Sequence, residues 1–323
     1  MKFRVEMTKV INQSFIYYSF LSILVICTIF SFVYLNKSHV KTESADPTYS
    51  YIESELVDRI AYNESEIERL LAEGKDLSTM WANRLKRANI YYEYLLENGV
   101  PYGSYSIYES VDSSLIDNSY SFFRIYLSFL LVVFIIFSLI LSFYVFSADF
   151  FEKRYKMIYG KGMRMKTYDT KGKVFILIIF VFWTFFFVLG IMMSLFFSGI
   201  DQILLTIING NVFSMTFPIF CIIMYCFTTL FILTLSCMIY YIKTISLNPY
   251  ISIVFGVLFI SLFLGIALLT KNHIVYVLLC CSISIFSYCN VLELIFSDVI
   301  RTLICLLIIV MSRVFFSKRS LNI

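Results

Sequence analysis

Charge and histidine are both scarce in this chain: 15% of the residues are charged, and the two histidines are His39 and His273. So little charge cannot clothe a soluble globular surface. Two distant histidines are poor material for a His-based metal site or a His-dependent triad. No G-x-x-x-x-G-K-[ST] occurs, so the chain has no Walker A loop, and Gly160-Lys161-Gly162 is too short to cradle a phosphate. G-x-S-x-G, H-E-x-x-H and Cys-x-x-Cys are absent too. Eight cysteines, at 27, 221, 226, 237, 280, 281, 289 and 305, all lie in apolar runs and none in the large polar segment. That placement predicts reduced thiols in a core or facing lipid, and no disulfide framework. Cys280-Cys281 with Cys289 is the nearest approach to a cluster, but adjacent residues on a helix point apart. The net charge of +4 is small and uneven, and no nucleic-acid motif accompanies it, so no nucleic-acid partner is expected.

Apolar residues are what the chain has in abundance. They make up 59% of it, and the mean hydropathy is +0.81. The expectation is an all-α polytopic membrane protein. Residues 1–35 join a short basic segment, with Lys2, Arg4 and Lys9 against Glu6, to an uncharged run from Phe15 to Leu35 that is long enough to cross a bilayer. The following NKSHVK offers no small-residue cleavage site, so the run reads as a retained anchor. Residues 36–121 form a hydrophilic insertion with 15 Asp/Glu against 8 Lys/Arg, which suits the outer side. Within it Ile52, Leu56, Ile60, Ile67, Leu70 and Leu71 mark one amphipathic helix. Leu77, Trp81, Leu85, Ala88, Tyr92 and Leu95 mark a second. Gly74-Lys75-Asp76 separates them and Asn98-Gly99 before Pro101 stops the second, giving an extracellular helical hairpin between spans 1 and 2. Its stripe reads first as the hairpin's own seam, with a partner surface as the other reading. Asn63-Glu64-Ser65 is a formal glycosylation acceptor.

A second span over 122–146 leads into a 27-residue polar island, Ser147 to Lys173. It carries Lys153, Arg154, Lys156, Lys161, Arg164, Lys166, Lys171 and Lys173 against Asp149, Glu152 and Asp169, the excess that marks a cytoplasmic loop. Asp149 and Glu152 form a capping-box-like start and Gly160 a stop. Between them Phe151, Tyr155, Ile158 and Tyr159 make one apolar stripe. Such an amphipathic helix would lie on lipid headgroups or in a groove of a cytoplasmic protein.

Residues 174–323 hold spans 3 to 6. Val174 to Phe197 goes out, Ser198 to Asn211 connects without Lys or Arg, and Val212 to Ile242 returns, with Pro218 as a tolerated kink. A fifth span opens near Pro249. Beyond it the apolar run Ile274 to Leu292 is followed by Glu293, Asp298 and Arg301, then by Thr302 to Phe316 and a basic tail. If both runs cross there are seven spans and the tail lies outside. A re-entrant hairpin near 274–300 gives six transmembrane helices with both termini cytoplasmic, the arrangement preferred here. Glu293, Asp298 and Arg301 then form a polar group at the membrane edge, either a solvated loop with a local ion pair or part of a substrate path.

The island's order of residues resembles the coupling loop of ABC-2 type exporter permeases. Phe146-Ser147 opens it, Asp149 and Glu152 are acidic, Met157-Ile158 is an apolar pair, Arg164 is the later arginine, and Lys171 or Lys173 enters the third span. The Gly-Thr and Pro of that pattern are missing. The resemblance extends to span order, loop polarity and the re-entrant segment, and the insertion after span 1 is similar to variants of Gram-positive bacteria, some of which export or resist antimicrobial peptides. It implies a multi-pass permease subunit of the bacterial cell membrane, not itself an enzyme and without a cofactor. ATP would be bound by a separate cytoplasmic ABC ATPase, and the permease would pair with a second copy or a sister permease in the bilayer. Asp149, Phe151, Glu152, Tyr155, Ile158 and Tyr159 would be the docking helix. Three other readings stay open: an FtsX/MacB type permease, which normally has four spans; a sensor or immunity protein that binds an extracellular peptide; and an envelope-biogenesis transferase using Glu293 and Asp298.

Overall fold

The computed structural model describes residues 7–8, 10, 14–39, 49–74, 80–99, 105–107, 119–151, 164–197, 203–208 and 211–245, with short pieces between 254 and 314. Four of its helices are long and apolar enough to cross a membrane. Their apolar windows are Ser14–Val33, Phe122–Phe146, Asp169–Phe196 and Phe217–Tyr241. This is the fold of a helical, membrane-embedded chain, because in lipid a spanning segment must satisfy its own backbone. The fifth span, the re-entrant hairpin and the choice of six or seven spans fall outside the described residues.

In chain order the helices are α1 (Ser14–His39), α2 (Tyr49–Ala72), α3 (Met80–Asn98), α4 (Ser119–Phe151), α5 (Arg164–Phe197) and α6 (Phe217–Ile245). Three strands join them: β1 (Tyr105–Ile107), β2 (Ile203–Ile208) and β3 (Asn211–Met215). Helices α4, α5 and α6 pack mutually, and α1 lies on α4. Ring contacts set the directions. Phe123 meets Phe187 and Phe146 meets Phe175, so α4 and α5 are antiparallel; Tyr120 meets Phe217 and Phe146 meets Tyr240, so α4 and α6 are parallel. Phe15 stacks on Tyr144 and Phe30 on Phe129, which makes α1 antiparallel to α4. The core they enclose is aromatic, with Trp183, Phe123, Tyr126, Phe134, Phe175, Phe186 and Phe187 fully buried. Many of these rings meet edge to face, as Phe134 does on Trp183 at 5.1 Å, the arrangement their quadrupoles favour.

At the end of the bundle away from the basic island, α2 and α3 form the expected hairpin. Its stops are glycines with positive φ, Gly74 at 66° and Gly99 at 55°, and the Gly74 N–H donates to Leu71 O. Leu70, Ala82 and Leu85 close one part of the seam with Ile67. Leu71, expected in that seam, is 50% exposed. One residue on from Leu70, it is turned about 100° away on the helix. Asn63 is buried in the hairpin and its Nδ2 donates to Asn89 Oδ1 at 2.8 Å, so the formal glycosylation acceptor is occupied by the fold. On the same hairpin Arg59 donates to Glu55 at 2.6 Å. Burial works against its charge, but Glu55 and Tyr92 outweigh that and raise its pKa, so the guanidinium stays charged over the working pH range.

The sheet is an addition to the all-helical expectation. β2 and β3 pair antiparallel with Ile208 opposite Asn211, and β1 pairs parallel to β2 with Tyr105 opposite Ile203. Residues 212–215, expected to begin the fourth span, are therefore strand. Thr216 O accepts from the Phe220 N–H and caps α6, which puts Pro218 in the first helical turn, where its missing N–H costs nothing. Pro218 starts this helix and does not kink it.

Candidate functional site

α4 runs on to Phe151 and α5 begins at Arg164, so helices claim both ends of the polar island. Asp149, expected to cap a separate helix, lies in the last turn of α4, and Phe151 is that helix's final residue. Nothing from Ser147 to Phe151 is a helix breaker, so the span simply continues into the polar sequence. Glu152, Tyr155, Ile158 and Tyr159 lie outside the described residues, as do Glu293, Asp298 and Arg301.

What the structure does place is the base on which the island stands. Lys171, 4% exposed, extends from α5 to α4, and its Nζ donates to Val145 O at 3.2 Å. An ammonium buried this far must be held by acceptors or it forces the helices apart. One residue on, Gly172 lets the Tyr240 ring of α6 lie against the α5 backbone; a Cβ there would sit 2.5 Å from Tyr240 Cε2. The Tyr240 hydroxyl makes a long, 3.4 Å hydrogen bond to Asp169 Oδ1. Phe146 stands between Phe175 and Tyr240, with ring centres 5.9 and 6.0 Å away. Helices α4, α5 and α6 are thus clasped close to where the island begins and ends.

Two further ties cross the middle of the bundle. Trp183 Nε1 donates to Thr229 Oγ1 at 3.0 Å, and Thr184 shares a 2.8 Å hydrogen bond with the Tyr225 hydroxyl. Toward the sheet end the Tyr126 hydroxyl donates to Phe186 O at 3.0 Å, and its ring occupies the space over Gly190. Interhelical hydrogen bonds and small residues are what hold helices together in lipid, where water no longer drives their association.

At the sheet end the hairpin is docked. Tyr91 and Leu95 of α3 pack with Leu205 of β2, and Leu56 and Val212 join them. The Tyr120 hydroxyl at the start of α4 donates to Met215 O at 3.2 Å, fastening the sheet to the bundle.

Of the described cysteines, Cys27, Cys221, Cys226 and Cys237, none is in a disulfide. Among the described residues no three His, Cys, Asp or Glu side chains come together in a metal-binding group. Lys171 was visible in the sequence only as a basic residue entering a span. Gly172 and Tyr240 carried no signal, because their contact joins residues 68 positions apart. No protein-family model, curated protein or solved structure matches this chain.

Proposed function

We propose that this chain is the permease subunit of an ABC-type exporter, which moves a hydrophobic or amphipathic substrate such as a peptide, drug or lipid-like molecule outward across a bacterial cell membrane. The work would come from a separate cytoplasmic ATPase docked on the polar island. The observation that carries the reading is the clasp at the basic end. A push on residues 152–163 is delivered to α4 and α5 together, and through Tyr240 on Gly172 it also reaches α6. Glu152, Tyr155, Ile158 and Tyr159 would form the docking surface, led into by Asp149 and Phe151 at the end of α4. A second copy or a sister subunit would complete the path, with both termini cytoplasmic and six spans in all.

The test is to purify the tagged protein from its native membranes in mild detergent and look for a Walker-motif ATPase in the complex. We expect one, and expect Tyr155→Asp to release it while membrane insertion persists. An absent ATPase, or one that Tyr155→Asp leaves bound, overturns the proposal.

One observation favours a second reading, a sensor or immunity protein. The outer hairpin is seated on a sheet that leads within two residues into α6, so a peptide captured outside would act directly on a span. That reading predicts activity that survives loss of every associated ATPase.

A further inference from the structure

Among the described residues of the sheet itself, one aromatic side chain stands uncovered. Phe213, at the centre of β3, is 47% exposed. It lies in a stretch from Gln202 to Ile242 that contains no Asp, Glu, Lys or Arg. Alternation along a strand puts Val212 and Ser214 on one face and Phe213 and Met215 on the other. The first face belongs to the hairpin, since Val212 packs with Tyr91 and Leu95. The second faces the membrane-embedded bundle: Met215 packs against the core of the spans, and its carbonyl is held by Tyr120. Phe213 therefore projects from the bundle side of the sheet.

Depth is consistent with lipid. Met215 touches the span core, and Phe213 is at most about 7 Å further along the strand, no more than the thickness of one headgroup layer. A half-exposed Phe in a charge-free ribbon at that depth meets the boundary between acyl chains and headgroups, where an apolar ring is stabilised and no ion must be desolvated.

We infer that the Phe213 ring is buried in the lipid interface at the sheet end, making the β2–β3 hairpin a foot that rests the extramembrane hairpin on the bilayer. The inference requires only that the chain is membrane-embedded and is independent of the exporter reading.

The experiment places an indole at each of two adjacent positions. Full-length Phe213→Trp and Ser214→Trp chains are reconstituted in phosphatidylcholine/phosphatidylglycerol vesicles, with bromines on the acyl chains near the headgroup or with iodide on both sides. Each is compared with the parent, whose Trp81 and Trp183 supply a constant background. The added emission at 213 should be shifted to the blue and quenched severalfold more by brominated lipid than by iodide, with the order reversed at 214. Equal or greater quenching by iodide at 213 overturns the inference. So does an added emission that neither agent quenches, because the ring would then lie against protein, such as a second copy of this chain.

Discussion

Gly172 and Tyr240 are fitted to each other, and this can be measured. Gly172→Ala should destabilise the bundle by about 1–3 kcal/mol, the usual cost of overpacking, read as a lower thermal midpoint in detergent. Tyr240→Ala in the same chain should recover part of that loss, because the clash disappears with the ring. Lys171 behaves differently. Lys171→Met keeps the volume and removes a buried charge, so its stability should stay within about 1 kcal/mol of the parent; Lys171→Glu sets a buried anion against Val145 O and should cost about 3 kcal/mol or more. In the α2–α3 hairpin Asn63→Leu orphans the Asn89 amide and should cost about 1–3 kcal/mol, whereas Asn63→Leu with Asn89→Leu should cost less than either single change. Periodicity marks both positions, since Asn63 lies three residues after Ile60 and four before Ile67, and Asn89 four after Leu85 and three before Tyr92, each in line with its helix's apolar stripe. That the two asparagines meet depends on how the helices are set against each other, which one helix's pattern does not contain.

Among the elements, helices were legible and strands were not. Long uncharged runs name spans because lipid leaves the backbone no alternative to a helix, and Gly74 and Gly99 name helix ends because few other residues take a positive φ cheaply. The β2–β3 hairpin hid inside the same kind of apolar text. Ile203-Leu204-Leu205-Thr206-Ile207-Ile208 reads only as part of the connection from Ser198 to Asn211, and the following Asn209-Gly210, a strong two-residue hairpin signal, is what marks a turn. β1 was less legible still, since three residues pair with a strand almost a hundred positions later. Leu205 is the keystone where the sheet meets the hairpin, 3% exposed beneath Tyr91 and Leu95. Leu205→Ala should cost about 2–5 kcal/mol there. Limited proteolysis should then cut between residues 99 and 119 faster than in the parent, while the spans remain protected.

For the molecule as a whole, the sheet constrains sidedness more firmly than charge counts do. β1 belongs to the connection between α1 and α4, and β2 to the connection between α5 and α6, yet the two are hydrogen-bonded neighbours. Reporter fusions after Asp117 and after Gln202 should therefore report the same side of the membrane, and a fusion after Lys161 the opposite one. A different pattern would mean that α4 or α5 does not cross. The same pairing imposes a schedule on synthesis. When the ribosome has released α2, α3 and β1, their binding site does not yet exist, because β2 and β3 lie beyond the next two spans. The α2–α3 hairpin must wait with Tyr91 and Leu95 exposed until residues 203–215 arrive on the same side. This is the slow closure expected of distant strands. Nascent chains arrested short of residue 203 should be open to protease in the hairpin, and chains that extend past 245 should be closed.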